Sequence, residues 1–359
     1  MSRKLVLACV WFAIVAFFAM DSAFACTFFF LKAKDGSVVS CRAEEFYTDL
    51  DSKLDLVPQG TEFTSTAPEG AKPLSWKTRY GFVAISQFNQ DIYADGMNEA
   101  GLVIDGLWMD DAKYQSVTPG DTVINLTDLG GWILGDFRTV AEVKSALNKV
   151  KVWVTAANKL GMKLPIHISL TDATGDSIVV EWIDGNVKVW DNTANGVMTN
   201  EPNLGWHLEN LRFFYNMNPN SHPLPQWADS SSGTGLMGLP GDYTPASRFV
   251  KISMLKNFSQ QPKDAGEAVN LALHLINTVD IPYGPQIWIQ NKADNIQWTV
   301  YVVIFDQTHR QFYYRTYENQ TLRRIDLSKL ELGKNGKKVR FDLFGGDGIV
   351  EDTRFNSTK

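Results

Sequence analysis

Apolar and polar residues alternate along much of this chain, in short runs separated by turn residues. The first two runs, Thr27 to Lys32 and Ser37 to Arg42, flank the turn Lys34-Asp35-Gly36. Because side chains alternate between the two faces of a strand, such runs predict half-buried strands, and a short turn between two of them predicts a hairpin. The same pattern recurs in Asp91 to Met97 with Leu102 to Trp108, in Ile166 to Thr171 with Ser177 to Trp182, and in Gln297 to Phe305 with Gln311 to Tyr317.

Three segments have the apolar spacing and the end residues of helices. Thr139 and Glu142 form a capping box ahead of one apolar stripe, Asp264 caps a second, and Pro245 to Lys256 is the third. Strand runs with helices gathered between them predict a layered α+β fold rather than a regular strand–helix alternation. The stretch from Asn216 to Asp242 is rich in Pro, Ser, Gly and Asn and predicts a long loop.

The first 25 residues are typical of an export signal. Arg3 and Lys4 precede an apolar run from Leu5 to Met20, and small residues occupy the first and third positions of Ala23-Phe24-Ala25. The apolar run has 16 residues, fewer than the roughly 20 that span a bilayer. We therefore expect cleavage between Ala25 and Cys26, a periplasmic or secreted protein, and no stable membrane anchor.

A lipoprotein signal is the alternative interpretation of the same segment. It would leave Cys26 acylated, and the protein would then be a non-catalytic periplasmic binding protein. Lipoprotein signals favour Leu three residues before the cysteine and a small residue two before it. This chain has Ala23 and Phe24 at those positions, which favours simple cleavage.

Charge and histidine spacing exclude several classes of function. The chain of 359 residues has a formal net charge of −6, and removal of residues 1–25, which carry Arg3, Lys4 and Asp21, leaves −7. Nothing in this balance favours nucleic acid or an anionic membrane surface as a partner. The five histidines have no metal-ligand spacing, and the literal Gly-x-Gly-x-x-Gly match at Gly233 to Gly238 lacks its strand and helix. We expect neither a metal nor a cofactor.

Cleavage before Cys26 would place a thiol and a free α-amine on one residue. An α-amine has a pKa near 7.7 to 8.0, so at neutral pH it can take the thiol proton directly or through one water. Before cleavage that nitrogen is an amide and has no basicity, so the precursor should be inert. Exported proteins favour disulfides, but Cys41 and Arg42 point to opposite faces of their strand. We predict that Arg42, and not Cys41, faces Cys26.

Five separated motifs resemble those of the choloylglycine hydrolase family, which contains bile salt hydrolases and penicillin V acylases with an N-terminal cysteine nucleophile. Each motif alone is weak, but all five occur in the expected order between Cys26 and about Leu332. They are Cys26-Thr27 with Arg42 16 residues later, Asp95 to Gly101 ahead of Trp108, Met198-Thr-Asn-Glu-Pro202 with Asn200, Leu239 to Phe249 with Arg248, and Tyr314 to Asn319.

The resemblance implies a fold and a set of roles. The fold is a four-layer αββα sandwich of two antiparallel sheets between helices, here expected over residues 26–345, with 346–359 as a tail. Cys26 would attack an amide carbon, and Asn200 and the backbone N–H of Trp108 would stabilise the oxyanion. Arg42 and Arg248 would place positive charge near the sulfur. The resemblance also implies a homo-oligomer, a tetramer or a dimer, between which the residues do not distinguish.

One position departs from the family pattern. The family has an aspartate three residues after its first arginine, where it holds the N-terminal amine, and this chain has Glu45 there, with Glu44 beside it. The acidic function is kept, but the side chain is one methylene longer.

The expected partner is a small acyl amide. Bile salt hydrolases resemble one another in having Asn at the position of Trp108, whereas the branch of Gram-negative bacteria with penicillin V and acyl-homoserine lactone acylases resembles this chain in having Trp. An aromatic residue there suits a flat or chain-like acyl group. The export signal agrees with that branch. We therefore expect penicillin V or N-acyl homoserine lactone type amides as substrates, with conjugated bile salts as the alternative.

Overall fold

A computed structural model of the chain describes residues 25–48, 50–155, 164–221, 235–290 and 293–345. Almost all of the predicted export signal, part of the predicted loop and the predicted C-terminal tail lie outside these ranges. The strands of the described part are β1 (Thr27–Lys32), β2 (Val38–Phe46), β3 (Lys53–Val57), β4 (Glu62–Thr64), β5 (Lys72–Pro73), β6 (Ser75–Lys77), β7 (Phe82–Gln87), β8 (Ile92–Asn98), β9 (Val103–Trp108), β10 (Thr122–Asn125), β11 (Lys151–Trp153), β12 (Ile166–Thr171), β13 (Ser177–Ile183), β14 (Asn186–Asp191), β15 (Val197–Met198), β16 (Gln286–Gln290), β17 (Ala293–Asp306), β18 (Gln311–Thr316), β19 (Arg323–Asp326) and β20 (Val339–Asp342).

The helices lie in three places along the chain. They are α1 (Leu126–Asp136), α2 (Val140–Leu147), α3 (Leu204–Leu211), α4 (Pro245–Phe258) and α5 (Ala265–Asn277), with short 3₁₀ turns at Arg212–Phe214 and Leu327–Lys329. Within the described ranges, none of these helices has the length and apolar content needed to cross a membrane.

Two large antiparallel sheets form the centre of the molecule. One has seven strands in the order β15-β1-β2-β17-β18-β19, with β16 also paired to β17, and the other has eight in the order β14-β13-β12-β9-β8-β7-β3-β20. Helices α4 and α5 pack on the first sheet, and α1 packs on β8 of the second. The result is the predicted four-layer αββα sandwich.

Strand β17 shows how alternation builds the two apolar layers. Tyr301 and Val303 belong to the buried cluster shared with the eight-stranded sheet. Val302 and Ile304 belong instead to the cluster shared with α5. Successive side chains thus serve opposite faces of one strand, as the sequence pattern predicted.

The sequence did not predict helix α1, because three glycines interrupt its apolar stripe. They are needed for close packing: a Cβ on Gly130 would lie 2.1 Å from the carbonyl oxygen of Tyr93 in β8. Glycine lowers helix propensity by about 1 kcal/mol relative to alanine, so tertiary contact with the sheet stabilises a helix that local preference does not favour.

The predicted helix starts are confirmed. The Thr139 side chain accepts from the backbone N–H of Glu142 at 3.2 Å, and Asp264 accepts from that of Glu267 at 2.9 Å. Each bond satisfies one of the free N–H groups of a first turn, a contribution of typically about 1 kcal/mol. Helix α4 begins at Pro245, as expected, and continues to Phe258.

Candidate active site

Cys26 lies immediately before β1, the second strand of the seven-stranded sheet, and its side chain is buried. In this structure it is still joined to Ala25, and its backbone N–H donates to Asn200 Oδ1 at 2.7 Å. Arg42 on the neighbouring β2 places Nη2 3.3 Å from Cys26 Sγ. The strand alternation therefore predicted correctly which residue faces the thiol.

Cys41 is not placed to pair with Cys26. Its partner on β1 is Phe29, three residues from Cys26 and therefore about 10 Å along the strand. A disulfide needs Cα atoms within about 7 Å. Both thiols are free and buried, and Cys41 packs in the cluster shared with α5.

The guanidinium of Arg42 is fixed by several acceptors around the gap between the sheets. Nη1 contacts Glu44 Oε2 at 2.6 Å and Asp95 Oδ2 at 2.9 Å, and Nη2 donates to the Gly106 carbonyl at 2.8 Å. The Tyr301 hydroxyl donates to the same Asp95 oxygen at 2.5 Å. These contacts hold the positive charge against the sulfur, which favours the thiolate.

Arg248 is close to Cys26 but makes its hydrogen bonds to the Cys26 carbonyl and to neighbouring side chains rather than to the sulfur. From α4, Nη1 donates to the Cys26 carbonyl at 2.6 Å and to Thr27 Oγ1 at 2.7 Å, and Nη2 donates to Asn200 Oδ1 at 2.7 Å. The two arginines expected beside the sulfur thus do different things. Arg42 touches the thiol, and Arg248 holds the backbone of Cys26 and the side chain of Asn200.

Asn200 follows β15 and joins Cys26 to Trp108. While Oδ1 accepts from Cys26 and Arg248, Nδ2 donates to the Trp108 carbonyl at 2.9 Å. The Trp108 indole N–H donates to Asp110 Oδ1 at 2.5 Å. The structure therefore brings Asn200 and Trp108 together as expected, and the contact between them uses the Trp108 carbonyl.

The Glu45 carboxyl is buried beside the site without a hydrogen bond to Cys26, where the sequence predicted an acceptor for its amine. The hydrogen bond to Cys26 comes from the backbone N–H of Glu45. Its Oε1 accepts from Thr299 Oγ1 at 3.2 Å, and no described residue is hydrogen-bonded to Oε2. A bulge in β17 between Thr299 and Tyr301 lies opposite Glu45 and Glu44 and changes the pairing register there. Burial raises the pKa of the Glu45 carboxyl well above its usual range, and the charges of Arg248 and Arg42 act against this.

Glu44 occupies the position next to the thiol, which the sequence did not predict. Its Oε1 lies 3.6 Å from Cys26 Sγ. Burial is the largest cause, and the charge of Glu44 the next, of a rise in the pKa of the Cys26 thiol to about 12. The charge of Arg42 acts in the opposite direction. A thiol with this pKa is un-ionised at neutral pH in the chain that still carries Ala25.

An apolar cavity opens from Cys26 into the eight-stranded sheet. It encloses about 760 Å³ of space, including its open mouth. Its charged lining residues are Arg42 and Glu44, both at the end that reaches Cys26. The apolar lining is formed by Phe46, Leu50, Phe88, Ile92, Ala94, Ile104, Trp108, Leu126, Leu129, Leu164, Ile166 and Ile168. The cavity can therefore bury an apolar group attached to a carbonyl at the sulfur.

Two histidines that sequence spacing did not connect hold the backbone around Asn200. His167 Nε2 is 2.9 Å from the Thr199 carbonyl, and His207 Nε2 is 3.0 Å from the Asn200 carbonyl. A carbonyl accepts, so each imidazole nitrogen carries the proton. Burial lowers the pKa of His207 to about 4, which keeps it neutral at physiological pH. Their separation in the sequence, 40 residues, leaves no local signal.

A second unpredicted feature is the pair Asp95 and Asp105, which face each other across β8 and β9. Both are fully buried. Burial raises the pKa of Asp95 to about 6 and that of Asp105 well above its usual range. Since two adjacent buried carboxylates repel each other, one of them holds a proton. Among the described residues, no group of three His, Cys, Asp or Glu side chains is arranged to bind a metal ion.

Comparison with known proteins identifies relatives over nearly the whole chain. Residues 26–341 match the family described as linear amide C–N hydrolases, choloylglycine hydrolase family. A bile salt hydrolase/transferase of Clostridium perfringens is 31% identical over 326 residues, 88% of this chain and 96% of that protein. The crystal structure of a conjugated bile acid hydrolase variant from the same organism has a TM-score of 0.78 and 27% identity, covering 92% of this chain and all of that one. Penicillin V acylase from Agrobacterium tumefaciens has a TM-score of 0.74 and 27% identity, with 89% and 92% of the two chains covered.

Proposed function

This chain belongs to the choloylglycine hydrolase family of linear amide C–N hydrolases, and we propose that it is an exported amide hydrolase with Cys26 as its nucleophile. The observation that carries the proposal is the position of the thiol. Cys26 Sγ lies 3.3 Å from Arg42 Nη2 at the charged end of an otherwise apolar cavity. Export would take the protein to the periplasm or the exterior and release the α-amine of Cys26.

In the first step, the α-amine takes the thiol proton and the sulfur attacks the amide carbon. The amine is the available base because it is part of the same residue and has a pKa near neutrality. Arg42 stabilises the developing thiolate. Asn200 Oδ1, which accepts from the Cys26 nitrogen at 2.7 Å, orients that nitrogen. Glu45 supplies a second acceptor through Oε2, which lacks a partner in the described chain.

The carbonyl oxygen gains negative charge as the sulfur adds. An amide nitrogen carries two hydrogens, and Asn200 Nδ2 donates one of them to the Trp108 carbonyl. We assign its second hydrogen to the oxyanion, together with the Trp108 backbone N–H. Removing one such donor typically lowers kcat by about 100-fold to 1,000-fold.

Collapse of this intermediate breaks the C–N bond, and the ammonium proton passes to the departing nitrogen. The acyl group remains on Cys26 as a thioester. A water molecule then gives a proton to the free amine and attacks the thioester carbon. This step releases the carboxylic acid and restores the thiol.

The favoured substrates are penicillin V or N-acyl homoserine lactone type amides. The cavity beside the sulfur is lined by apolar side chains that include the Trp108 ring, and such a lining suits a phenoxyacetyl group or an aliphatic chain. Conjugated bile salts are the second candidate, since a bile salt hydrolase/transferase is 31% identical to this chain.

The test is a substrate panel with the exported protein: penicillin V, long-chain acyl homoserine lactones, and glycine- or taurine-conjugated bile salts, with release of the free amine measured. We expect turnover of the first two classes above that of bile salts. Cys26→Ala should abolish turnover of every substrate, whereas Cys41→Ser, the matched change at the other thiol, should keep it.

Activity retained by Cys26→Ala would contradict the mechanism. Binding without turnover by a protein with an acylated Cys26 would instead support a lipid-anchored binding protein.

A further inference from the structure

The Glu44 carboxylate is the negatively charged group on the lining of the cavity. Its Oε2 is held by Arg42 Nη1 at 2.6 Å. The Tyr301 hydroxyl lies 3.4 Å from the same oxygen but donates its single hydrogen to Asp95. Its other oxygen, Oε1, has one contact within the described chain, a thiol hydrogen bond from Cys26 Sγ at 3.6 Å. Sulfur is a weak donor, so Oε1 keeps most of its capacity to accept.

This contact disappears during the reaction. A thioester sulfur carries no hydrogen, so acylation of Cys26 removes the donor to Glu44 Oε1. The carboxylate is 6% exposed, and a buried charged oxygen without a donor is unfavourable. The acyl-enzyme is therefore stabilised by any acyl group that brings its own donor to this oxygen.

Neighbouring polar groups on the lining are already engaged. Arg42 Nη2 donates to Cys26 Sγ and to the Gly106 carbonyl. Gln87 donates to the Tyr301 hydroxyl at 2.9 Å and accepts from Ser52 at 2.6 Å. Glu44 Oε1 is thus the strong acceptor available beside the reacting carbon.

We propose that Glu44 selects acyl groups that carry a hydrogen-bond donor, a hydroxyl or an amino group, on the second or third carbon of the acyl chain. The carbonyl carbon of the scissile amide is counted as the first. Such a substituent is two or three bonds from the carbon that joins the sulfur, and therefore within reach of an oxygen that already contacts that sulfur. A keto group at the same place would present an acceptor to a carboxylate and is rejected. The inference rests on the proposed amide hydrolase function and names the substrate class of that site.

The experiment uses two sets of substrates. The first consists of N-acyl homoserine lactones of one chain length whose acyl group is unsubstituted, carries a 3-hydroxyl (both enantiomers) or carries a 3-oxo group. The second pairs a phenylacetyl amide with the corresponding mandelyl amide. For the wild-type protein we expect kcat/KM for the hydroxylated member of each set to exceed that of its unsubstituted partner by on the order of tenfold, the effect of a hydrogen bond to a charged group. The 3-oxo substrate should be the poorest. In Glu44→Leu, the hydroxyl preference should disappear or reverse.

Two further variants make the result specific. Glu44→Gln keeps the shape and an acceptor oxygen but not the charge, and should show an intermediate preference. Arg42 also pairs with Asp95 at 2.9 Å, a contact that neither Glu44→Leu nor Glu44→Gln removes. Thr127→Val removes the hydroxyl of another lining residue and should leave the ratio unchanged. An equal ratio in wild type and both Glu44 variants, or loss of the preference in Thr127→Val, overturns the inference. Absence of turnover for all these amides, for penicillin V and for conjugated bile salts would overturn the proposed function itself.

Discussion

At the scale of the residue, we propose Glu45 as an acceptor for the α-amine of Cys26. Its carboxylate is fully buried, with Oε1 on Thr299 and Oε2 without a partner in the described part of the chain. A buried unsatisfied oxygen is unfavourable unless a donor reaches it. In the proposed mechanism, cleavage before Cys26 would supply such a donor, because the new amine has hydrogens that the peptide nitrogen lacks.

Shortening or neutralising Glu45 should therefore lower activity. Glu45→Asp withdraws the carboxylate by one bond and leaves a gap at a charged pair, and a displacement of about 1 Å can lower the rate by on the order of 100-fold. Glu45→Gln should have a larger effect, because it also removes the charge that orients the amine. The measurement is kcat with penicillin V, with the melting temperature as a control for folding.

Full activity in Glu45→Gln would show that Glu45 does not hold the amine. Asn200 Oδ1, which already accepts from the Cys26 nitrogen, would then be its acceptor.

At the scale of elements, the segment between β15 and α3 presents Asn200 to the nucleophile. His167 from β12 and His207 from α3 hold the carbonyls of Thr199 and Asn200. The His207 ring also stacks on Phe249 of α4, with centroids 4.7 Å apart. Asn200 is therefore positioned by β12, α3 and α4, three elements that are distant from one another in the sequence.

The depressed pKa of His207 makes this segment sensitive to acid. Its pKa is about 4 in the folded chain and about 6.5 when unfolded, so between these values the unfolded chain binds one more proton. The contribution of neutral His207 to stability is present above pH 6.5 and is lost towards pH 4, at about 1.4 kcal/mol per pH unit. Unfolding in denaturant at several pH values should show this slope in the wild type and not in His207→Gln.

Other groups titrate equally in the wild type and in His207→Gln, so their contributions to the pH dependence of stability cancel when the two slopes are compared. Glu201, for example, has its pKa raised to about 8 by burial, and its effect on stability has the opposite sign between pH 4.5 and 8. Equal slopes in wild type and His207→Gln would mean that His207 keeps an ordinary pKa. His207→Met, which cannot donate to the Asn200 carbonyl, should lower kcat at pH 7 by about fivefold, the effect of one hydrogen bond.

Local features were predictable from the sequence. They are the hairpin of β1 and β2, the caps of α2 and α5, and the start of α4. Each depends on residues within a few positions, such as Thr139 with Glu142. Helix α1 was not, since its glycines are explained by the approach of Tyr93. Helix α3 was not predicted either, although Asn203 caps it by accepting from Trp206 N–H, a local signal that was available.

At the scale of the whole molecule, the proposed mechanism requires removal of the segment before Cys26. While Ala25 is attached, the thiol pKa of about 12 leaves only about one thiol in ten thousand ionised at pH 8. Exported protein should begin Cys-Thr-Phe-Phe-Phe on N-terminal sequencing. Its Cys26 should react with iodoacetamide at least about 100-fold faster than that of a chain that retains Ala25, because thiolate reacts and thiol does not.

Cys41 is an internal control for this measurement, since it is fully buried and burial raises its pKa well above the usual range. It should be slow in both forms. A diacylglyceryl group on Cys26, or equal reactivity of Cys26 in the two forms, would argue against activation by cleavage.

The sequence by itself determined the layered fold, the candidate nucleophile and the residues around it, because these depend on alternation, on local caps and on five motifs in a fixed order. Only the tertiary structure decided which acidic residue meets the thiol. Alternation places Glu44 and Glu45 on opposite faces of β2, but the bulge in β17 opposite them and the gap between the sheets determine what each face contacts. The contact of His167 with the Thr199 carbonyl likewise joins β12 to a segment that is distant in the sequence, and no local pattern encodes it.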